Sequence, residues 1–129
     1  MKPRRIEWRE GSFPMEVVGE SRYIDNFLKI SGGYSRDGYD VECEAELVPE
    51  PDNAYDANAI QVRIEGLKVG YLPSEVAAGY VERLEAAGFA GQPMRCQARV
   101  RGGWRTNQHD RGDFGVKLGV PGRGALKIV

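Results

Sequence analysis

The side chains with the most specific chemistry lie close together in the segment Leu47–Ile60, LVPEPDNAYDANAI. Between two apolar runs this segment holds two prolines, two asparagines, two aspartates and one tyrosine. The ring of Tyr55 could stack on a planar ligand group, and the carboxylate of Asp56 could accept hydrogen bonds from a ligand hydroxyl. Asparagine and aspartate side chains also bond to nearby backbone in ordinary turns. From the residues alone, a binding site and an ordered turn are both open.

Catalysis is the first alternative for this segment. Glu50, Asp52 and Asp56 could in principle hold Mg²⁺ for nuclease chemistry. The sequence shows no nucleophile–base pair and no phosphate-binding P-loop, and His109 lies in a polar loop where an exposed histidine is ordinary. We therefore predict that the protein is not an enzyme and that it has no cofactor and no metal site.

The sequence around this segment predicts short strands and two helices in the order β-α-β-β-β-α-β-β. Residues 41–47 alternate between apolar side chains and glutamates, which predicts a half-buried strand. Residues 60–64 and 67–72 flank a Glu-Gly turn and predict a hairpin. Mostly alternating strands favour an antiparallel sheet, either as a small closed or partly open barrel or as an α+β sandwich.

Length and composition predict one soluble domain. We place an N-terminal arm at residues 1–14, the domain at 15–120 and a C-terminal tail at 121–129 of the 129-residue chain. There is no apolar run long enough for a membrane span and no secretory signal, so we expect a cytoplasmic protein. Cys43 and Cys96 lie in alternating strand patterns and are interpreted as buried apolar residues.

Charge is distributed unevenly although the formal net charge is only −1. Residues 41–91 contain ten acidic and three basic residues, whereas residues 92–129 contain eight basic and two acidic residues. A basic face is therefore possible. The opposite charges could equally intermix in space.

Several motifs together resemble the HIRAN domain. They are GESRY (Gly19–Tyr23), LVPEPDNAYDANAI and VGYL (Val69–Leu72), and GDFGVKL (Gly112–Leu118) agrees with bacterial members. The N-x-Y-D-x-N-A-I run followed by VG-Y-L is specific for the family as a combination, whereas each motif alone is weak evidence for it. The resemblance covers approximately residues 15–120.

The resemblance implies a small, OB-like antiparallel β-barrel that binds single-stranded DNA, in particular at 3′-hydroxyl ends, in DNA repair or replication-fork processing. It assigns contacts with the terminal nucleotide to Tyr55 and Asp56. Arg22 and Tyr23 are the candidates for completing the pocket, and Tyr71 occupies the position of a further contact. HIRAN domains are found in SWI/SNF-type DNA translocases and as stand-alone bacterial proteins. A helicase or nuclease is therefore a possible partner beside DNA, and no membrane is expected.

One departure from the pattern concerns phosphate binding. Eukaryotic members have lysines after the VG-(Y/H)-L motif, where this chain has Pro73 and Ser74. Arg99, Arg101 and Arg105 are candidate replacements from another strand. A protein-interaction module that uses the hairpin or the acidic strand face is the alternative function.

Overall fold

The computed structural model describes residues 2–107 and 111–129, so His109 of the predicted polar loop lies outside the described residues. Over the described ranges the chain forms two α-helices, a 3₁₀ turn (Glu20–Tyr23) and ten strands. The helices are α1 (Ile24–Ser31) and α2 (Ser74–Ala86). The strands are β1 (Arg4–Glu7), β2 (Met15–Glu16), β3 (Tyr39–Pro49), β4 (Ile60–Ile64), β5 (Leu67–Tyr71), β6 (Met94–Gly102), β7 (Trp104–Arg105), β8 (Arg111–Gly112), β9 (Gly115–Leu118) and β10 (Lys127–Ile128). The predicted mainly-β fold with two helices is confirmed.

The strands form an antiparallel sheet that curls into a half-barrel, consistent with the predicted small OB-like barrel. Its main order is β10-β1-β6-β3-β4-β5, and β9 pairs with both β6 and β2. Every pairing is antiparallel except that of β1 with β6. Strands β7 and β8 form a separate small hairpin.

A short bridge joins β5 to the segment that follows β2. Val18 and Tyr71 exchange two backbone hydrogen bonds of 2.9 Å each. The backbones can approach this closely because Gly70 has no side chain: a Cβ there would lie 2.6 Å from both the Val18 carbonyl oxygen and the Val17 side chain. The glycine of the VGYL motif is thus required for this contact.

The predicted hairpin of β4 and β5 forms with its turn at Glu65 and Gly66, both of which have positive φ. It contains a bulge that alternation does not reveal. Val62 pairs with Gly70 and Arg63 pairs with Lys68, so one extra β5 residue, Val69, lies between these pairs. Side chains three residues apart, at 68 and 71, can therefore contact each other on one face of the hairpin.

Apolar side chains from the inner face of the sheet and from both helices fill the core. Helix α1 contributes Phe27, whose ring stacks on Phe114 with centroids 4.8 Å apart. Helix α2 buries Ala77, Tyr80 and Leu84. Cys96 is buried and Cys43 is half-buried, and both are free thiols. Within the described ranges no helix is both long and apolar enough to cross a membrane.

The two ends of the chain contribute to the sheet. Strand β1 lies within the segment assigned to an N-terminal arm, yet it pairs with β6 and with β10 from the C-terminal tail. Ile6 is only 1% exposed and belongs to the core. The arm lacks a periodic pattern because a single buried side chain in a four-residue strand leaves no repeat to detect.

Candidate nucleic-acid interface

The loop between β3 and β4 is held by hydrogen bonds within itself. The Glu50 N–H donates to the Ala59 carbonyl (2.9 Å) and closes the base of the loop. The side-chain oxygen of Asn53 accepts bonds from the backbone N–H groups of Tyr55 (2.9 Å) and Asp56 (3.1 Å). An asparagine oxygen that captures successive N–H groups fixes a turn in the way that a backbone carbonyl does. The loop therefore presents its side chains from a defined backbone.

The turn orders Tyr55 without covering it. The side chain of Tyr55 is fully in solvent, with the residue 99% exposed. Asp56 is half-buried, and one of its carboxylate oxygens accepts a bond from the Asn58 N–H at 2.8 Å. Its other oxygen accepts no hydrogen bond from the described part of the chain. The turn thus accounts for Asn53 and for one oxygen of the Asp56 carboxylate, but it gives the Tyr55 ring no packing role.

The carboxylate of Glu50 connects the loop to the β4–β5 hairpin. The Tyr71 hydroxyl donates to it, at 3.0 and 3.1 Å from its two oxygens, and the Asn53 amide donates at 2.9 Å. The side-chain amide of Gln61 also donates to it, which explains why this glutamine can be buried. Partial burial acts to raise the pKa of Glu50, but these bonds and the nearby Lys68 ammonium lower it overall. Glu50 is therefore held as a carboxylate.

Lys68 lies at the centre of the group that we call the tyrosine–lysine cluster: Tyr23, Glu50, Lys68 and Tyr71. Its ammonium donates to the Tyr71 hydroxyl at 2.8 Å and lies 3.7 Å from a Glu50 oxygen. It also lies 5.0 Å from the ring centroid of Tyr71 and 5.7 Å from that of Tyr23. The bond to Tyr71 raises the pKa of Lys68, and burial raises the pKa of Tyr71. The cluster thus combines one ammonium with two aromatic rings.

The five residues singled out from the sequence fall into two groups. Tyr23 and Tyr71 meet in the tyrosine–lysine cluster, whereas Tyr55 and Asp56 belong to the loop that Glu50 joins to it. Arg22 is exposed in the 3₁₀ turn beside Tyr23, and its side chain makes no bond to the other four. The sequence interpretation missed Lys68. In a regular strand residues 68 and 71 lie on opposite faces, and only the bulge brings them together.

The opposite charges of the central strands are intermixed. In the β3–β6 register Glu42 faces Arg99 and Glu46 faces Arg95. Arg99 also makes a two-bond contact with Asp40, at 2.7 and 2.8 Å, and this carboxylate pairs with Arg101 as well. Asp40 lies at the start of β3, whereas the loop follows its end. Arg99 and Arg101 are therefore not beside Tyr55 and Asp56.

A groove of about 450 Å³ lies on the other side of the Val17–Val18 segment from Tyr71. Arg99, Arg101 and Lys117 contribute its positive charge. Arg99 and Arg101 are bound to Asp40, and Lys117 lies 3.9 Å from Glu16. Carboxylates thus offset the cations of this groove, as Glu50 does for Lys68, but only Lys68 among these cations also lies close to two aromatic rings, those of Tyr23 and Tyr71.

No ready metal site accompanies the carboxylates of the loop. In residues 2–107 and 111–129, no group of three or more histidine, cysteine, aspartate or glutamate side chains is arranged to hold a metal ion. Glu50, which the nuclease alternative requires, is engaged instead by Tyr71, Asn53 and Gln61. The carboxylate of Glu50 is therefore committed to hydrogen bonds within the protein.

Comparison with protein families gives one match. The model of the HIRAN domain matches residues 10–96 of the 129-residue chain, a range that includes the loop, the tyrosine–lysine cluster and Arg22. Searches of the curated proteins and of the solved structures found no match. The HIRAN domain is a DNA-binding domain that is not itself catalytic. With most of its length covered by the match, the chain belongs to the HIRAN domain family of nucleic-acid-binding modules.

Proposed function

We propose that the protein binds single-stranded DNA, preferentially at a 3′-hydroxyl end, as a non-enzymatic module of DNA repair or replication-fork processing. The main support is the fully exposed ring of Tyr55 on a turn that Asn53 fixes. A tyrosine ring that is as exposed in the folded protein as in the unfolded chain contributes little to folding, and both of its faces are available for stacking on a base. A single-stranded end offers such a base.

The neighbouring carboxylate supplies the preference for the end. An ionised Asp56 can accept a hydrogen bond from a free 3′-hydroxyl group, and it repels a 3′-phosphate. Arg22, Tyr23 and Tyr71 are the proposed contacts for the adjoining backbone and base. A helicase or nuclease partner and a cytoplasmic location remain predictions of the same proposal.

Fluorescence anisotropy with 5′-labelled single strands tests the proposal. Two probes of the same sequence end in a 3′-hydroxyl or a 3′-phosphate. Binding is measured at low and at physiological salt concentration, because contacts with phosphates depend on salt. We expect the 3′-hydroxyl probe to bind more tightly by about tenfold, the value of one hydrogen bond to a charged group. Equal binding of the two probes would exclude end recognition, and absence of binding to both would exclude the proposed function.

A matched pair of variants isolates the role of Asp56. Asp56→Asn keeps an oxygen for the Asn58 N–H, whereas Asp52→Asn removes the same charge from an exposed position of the same loop. Only Asp56→Asn should reduce the preference for the hydroxyl end. An equal reduction in both variants would indicate general electrostatic repulsion instead. Degradation of the probe in Mg²⁺ or Mn²⁺ would support a nuclease.

A further inference from the structure

We infer that Lys68 is the residue that binds a backbone phosphate close to the 3′ end, with Glu50 and Tyr71 as positioning residues. The inference rests on the proposed function and goes beyond it, because it assigns the phosphate contact to a residue of the β5 bulge. It also identifies what offsets the negative charge of the loop.

The surroundings of the loop require such a cation. Glu50, Asp52 and Asp56 are carboxylates within seven residues of sequence, and each opposes the approach of a phosphate. A DNA strand whose last base stacks on Tyr55 therefore needs a positive group close to its final phosphates. Lys68 is joined to this loop directly, through Glu50 at 3.7 Å.

The other nearby cations are less suitable. The guanidinium of Arg63 is bound to the side chain of Gln61, and those of Arg99 and Arg101 are bound to Asp40 at the far end of β3. Arg22 is exposed but makes no contact that would fix its position relative to the loop. Lys68 alone among these five has its charged group placed between two aromatic rings, those of Tyr23 and Tyr71.

Lys68 also has unused hydrogen-bonding capacity. An ammonium has three N–H donors, and in the described part of the chain one of them is used, toward the Tyr71 hydroxyl. The Glu50 oxygen lies too far from the Lys68 nitrogen for a hydrogen bond. The carboxylate therefore attracts the ammonium without using one of its N–H donors. The Lys68 side chain is 29% exposed, which leaves a path for a phosphate oxygen. The ammonium is thus positioned in advance but not saturated.

The positioning depends on two bonds that Glu50 and Tyr71 make. Tyr71 accepts from Lys68 and donates to Glu50, so its hydroxyl links the two charges. Its backbone is fixed in turn by the bridge to Val18. The bound strand would place its terminal base near Tyr55 and its phosphate beside Lys68, between the two clustered tyrosines.

The test combines a protein variant with a chemical change in the DNA. Lys68→Gln removes the charge and keeps a donor for the Tyr71 hydroxyl. The probes are single strands with a 3′-hydroxyl end and one uncharged methylphosphonate at the first, second or fifth linkage from that end. Lys127→Gln is the control, because Lys127 forms a comparable ion pair with Glu7 (3.1 Å) on the β1–β10 edge.

We expect Lys68→Gln to weaken binding of the unmodified strand by about tenfold. It should also reduce the slope of log K against log[salt] by about 0.7, the value for one phosphate on a single strand. A methylphosphonate at the first or second linkage should weaken wild-type binding to a similar degree and should leave the variant almost unaffected. Lys127→Gln should match the wild type with every probe.

Three results would overturn the inference while the proposed function stands. One is an unchanged salt slope in Lys68→Gln. Another is an equal loss of affinity from Lys68→Gln on the unmodified strand and on strands modified at the first or second linkage, which would indicate that Lys68 only supports the fold. The third concerns Lys68→Arg, which keeps the positive charge and should retain the wild-type salt dependence of binding. A reduced salt slope in this variant would contradict the inference. If the wild-type protein binds no single strand at all, the proposed function itself fails.

Discussion

The side-chain oxygen of Asn53 accepts a hydrogen bond of 2.9 Å from the backbone N–H of Tyr55. The same oxygen accepts from Asp56, and the amide nitrogen of Asn53 donates to Glu50. One side chain thus fixes the backbone of Tyr55 and Asp56 and links the loop to Glu50 of the tyrosine–lysine cluster. Asn53 contributes to the site without needing to contact the ligand.

Replacement of Asn53 should therefore affect both stability and binding. We expect Asn53→Ala to lower the free energy of unfolding by about 1 kcal/mol, because the loop loses hydrogen bonds that water replaces only in part. DNA binding should weaken as well, since the loop no longer holds Tyr55 and Asp56 in one arrangement. Urea denaturation and anisotropy measure the two effects.

Asn58→Ala is the matched control for this change. Asn58 is exposed in the same loop, but the bond that it makes to Asp56 uses its backbone N–H, which alanine retains. The control should behave like the wild type in both measurements. If Asn53→Ala also leaves stability and affinity unchanged, the turn does not depend on the asparagine side chain.

Removal of the Tyr55 ring should affect binding alone. Because Tyr55 is 99% exposed, Tyr55→Ala should leave the melting temperature within experimental error. It should weaken single-strand binding by about 1–3 kcal/mol, the range for one base stacked on an aromatic ring. Tyr55→Phe keeps the ring and should retain most of the affinity. Wild-type affinity in Tyr55→Ala would refute stacking on this residue.

Much of the fold could be predicted from local patterns. The hairpin of residues 60–64 and 67–72 follows from alternation around a Glu-Gly turn, and Gly32 ends the first helix as expected of glycine. The polar loop with Tyr55 and Asp56 was also recognisable, because turn residues and prolines interrupt two apolar runs. These features depend on neighbours in sequence, so the sequence alone is informative.

The remainder depends on contacts between distant segments. Lys68 joins Tyr71 because of a bulge, which appears only once β5 is paired with β4. Ile6 becomes a core residue because β6 and β10 flank β1 on its two sides. Asp40 meets Arg99 because β3 and β6 are adjacent although 59 residues separate the two side chains. No local pattern encodes these pairings.

Gly70→Ala should destabilise the fold by disturbing the bridge to Val18. The new Cβ would lie 2.6 Å from the Val18 carbonyl oxygen, and backbone atoms cannot move aside cheaply. We expect a loss of about 1–3 kcal/mol in the free energy of unfolding, as for overpacked interiors. DNA binding should weaken too, because Tyr71 is the next residue. Chemical denaturation monitored by circular dichroism measures the loss.

Gly79→Ala is the matched control and should have the opposite sign. Gly79 lies in α2, and a Cβ there would meet nothing within 4 Å. Alanine is favoured over glycine in a helix interior by about 0.8–1.0 kcal/mol, so this variant should be more stable than the wild type. Equal stability of Gly70→Ala and wild type would show that the bridge tolerates a wider separation.

Acid stability should depend on Asp40. Hydrogen bonds from Arg99, and secondarily from Arg101, lower the pKa of Asp40 from 3.8 to about 2. Between these two values the folded protein binds fewer protons than the unfolded chain, so its stability falls as the pH drops from about 4 to about 2. Asp40→Asn cannot titrate and should lose less stability over this interval, although it starts lower at neutral pH because the two arginines lose their carboxylate. Thermal unfolding at half-unit pH steps measures how steeply stability falls with pH in each protein.

Arg99→Gln removes the main partner of Asp40 and leaves its carboxylate. This variant should also lose less stability than the wild type between about pH 4 and about pH 2. A wild-type slope in both variants would show that other carboxylates govern acid unfolding.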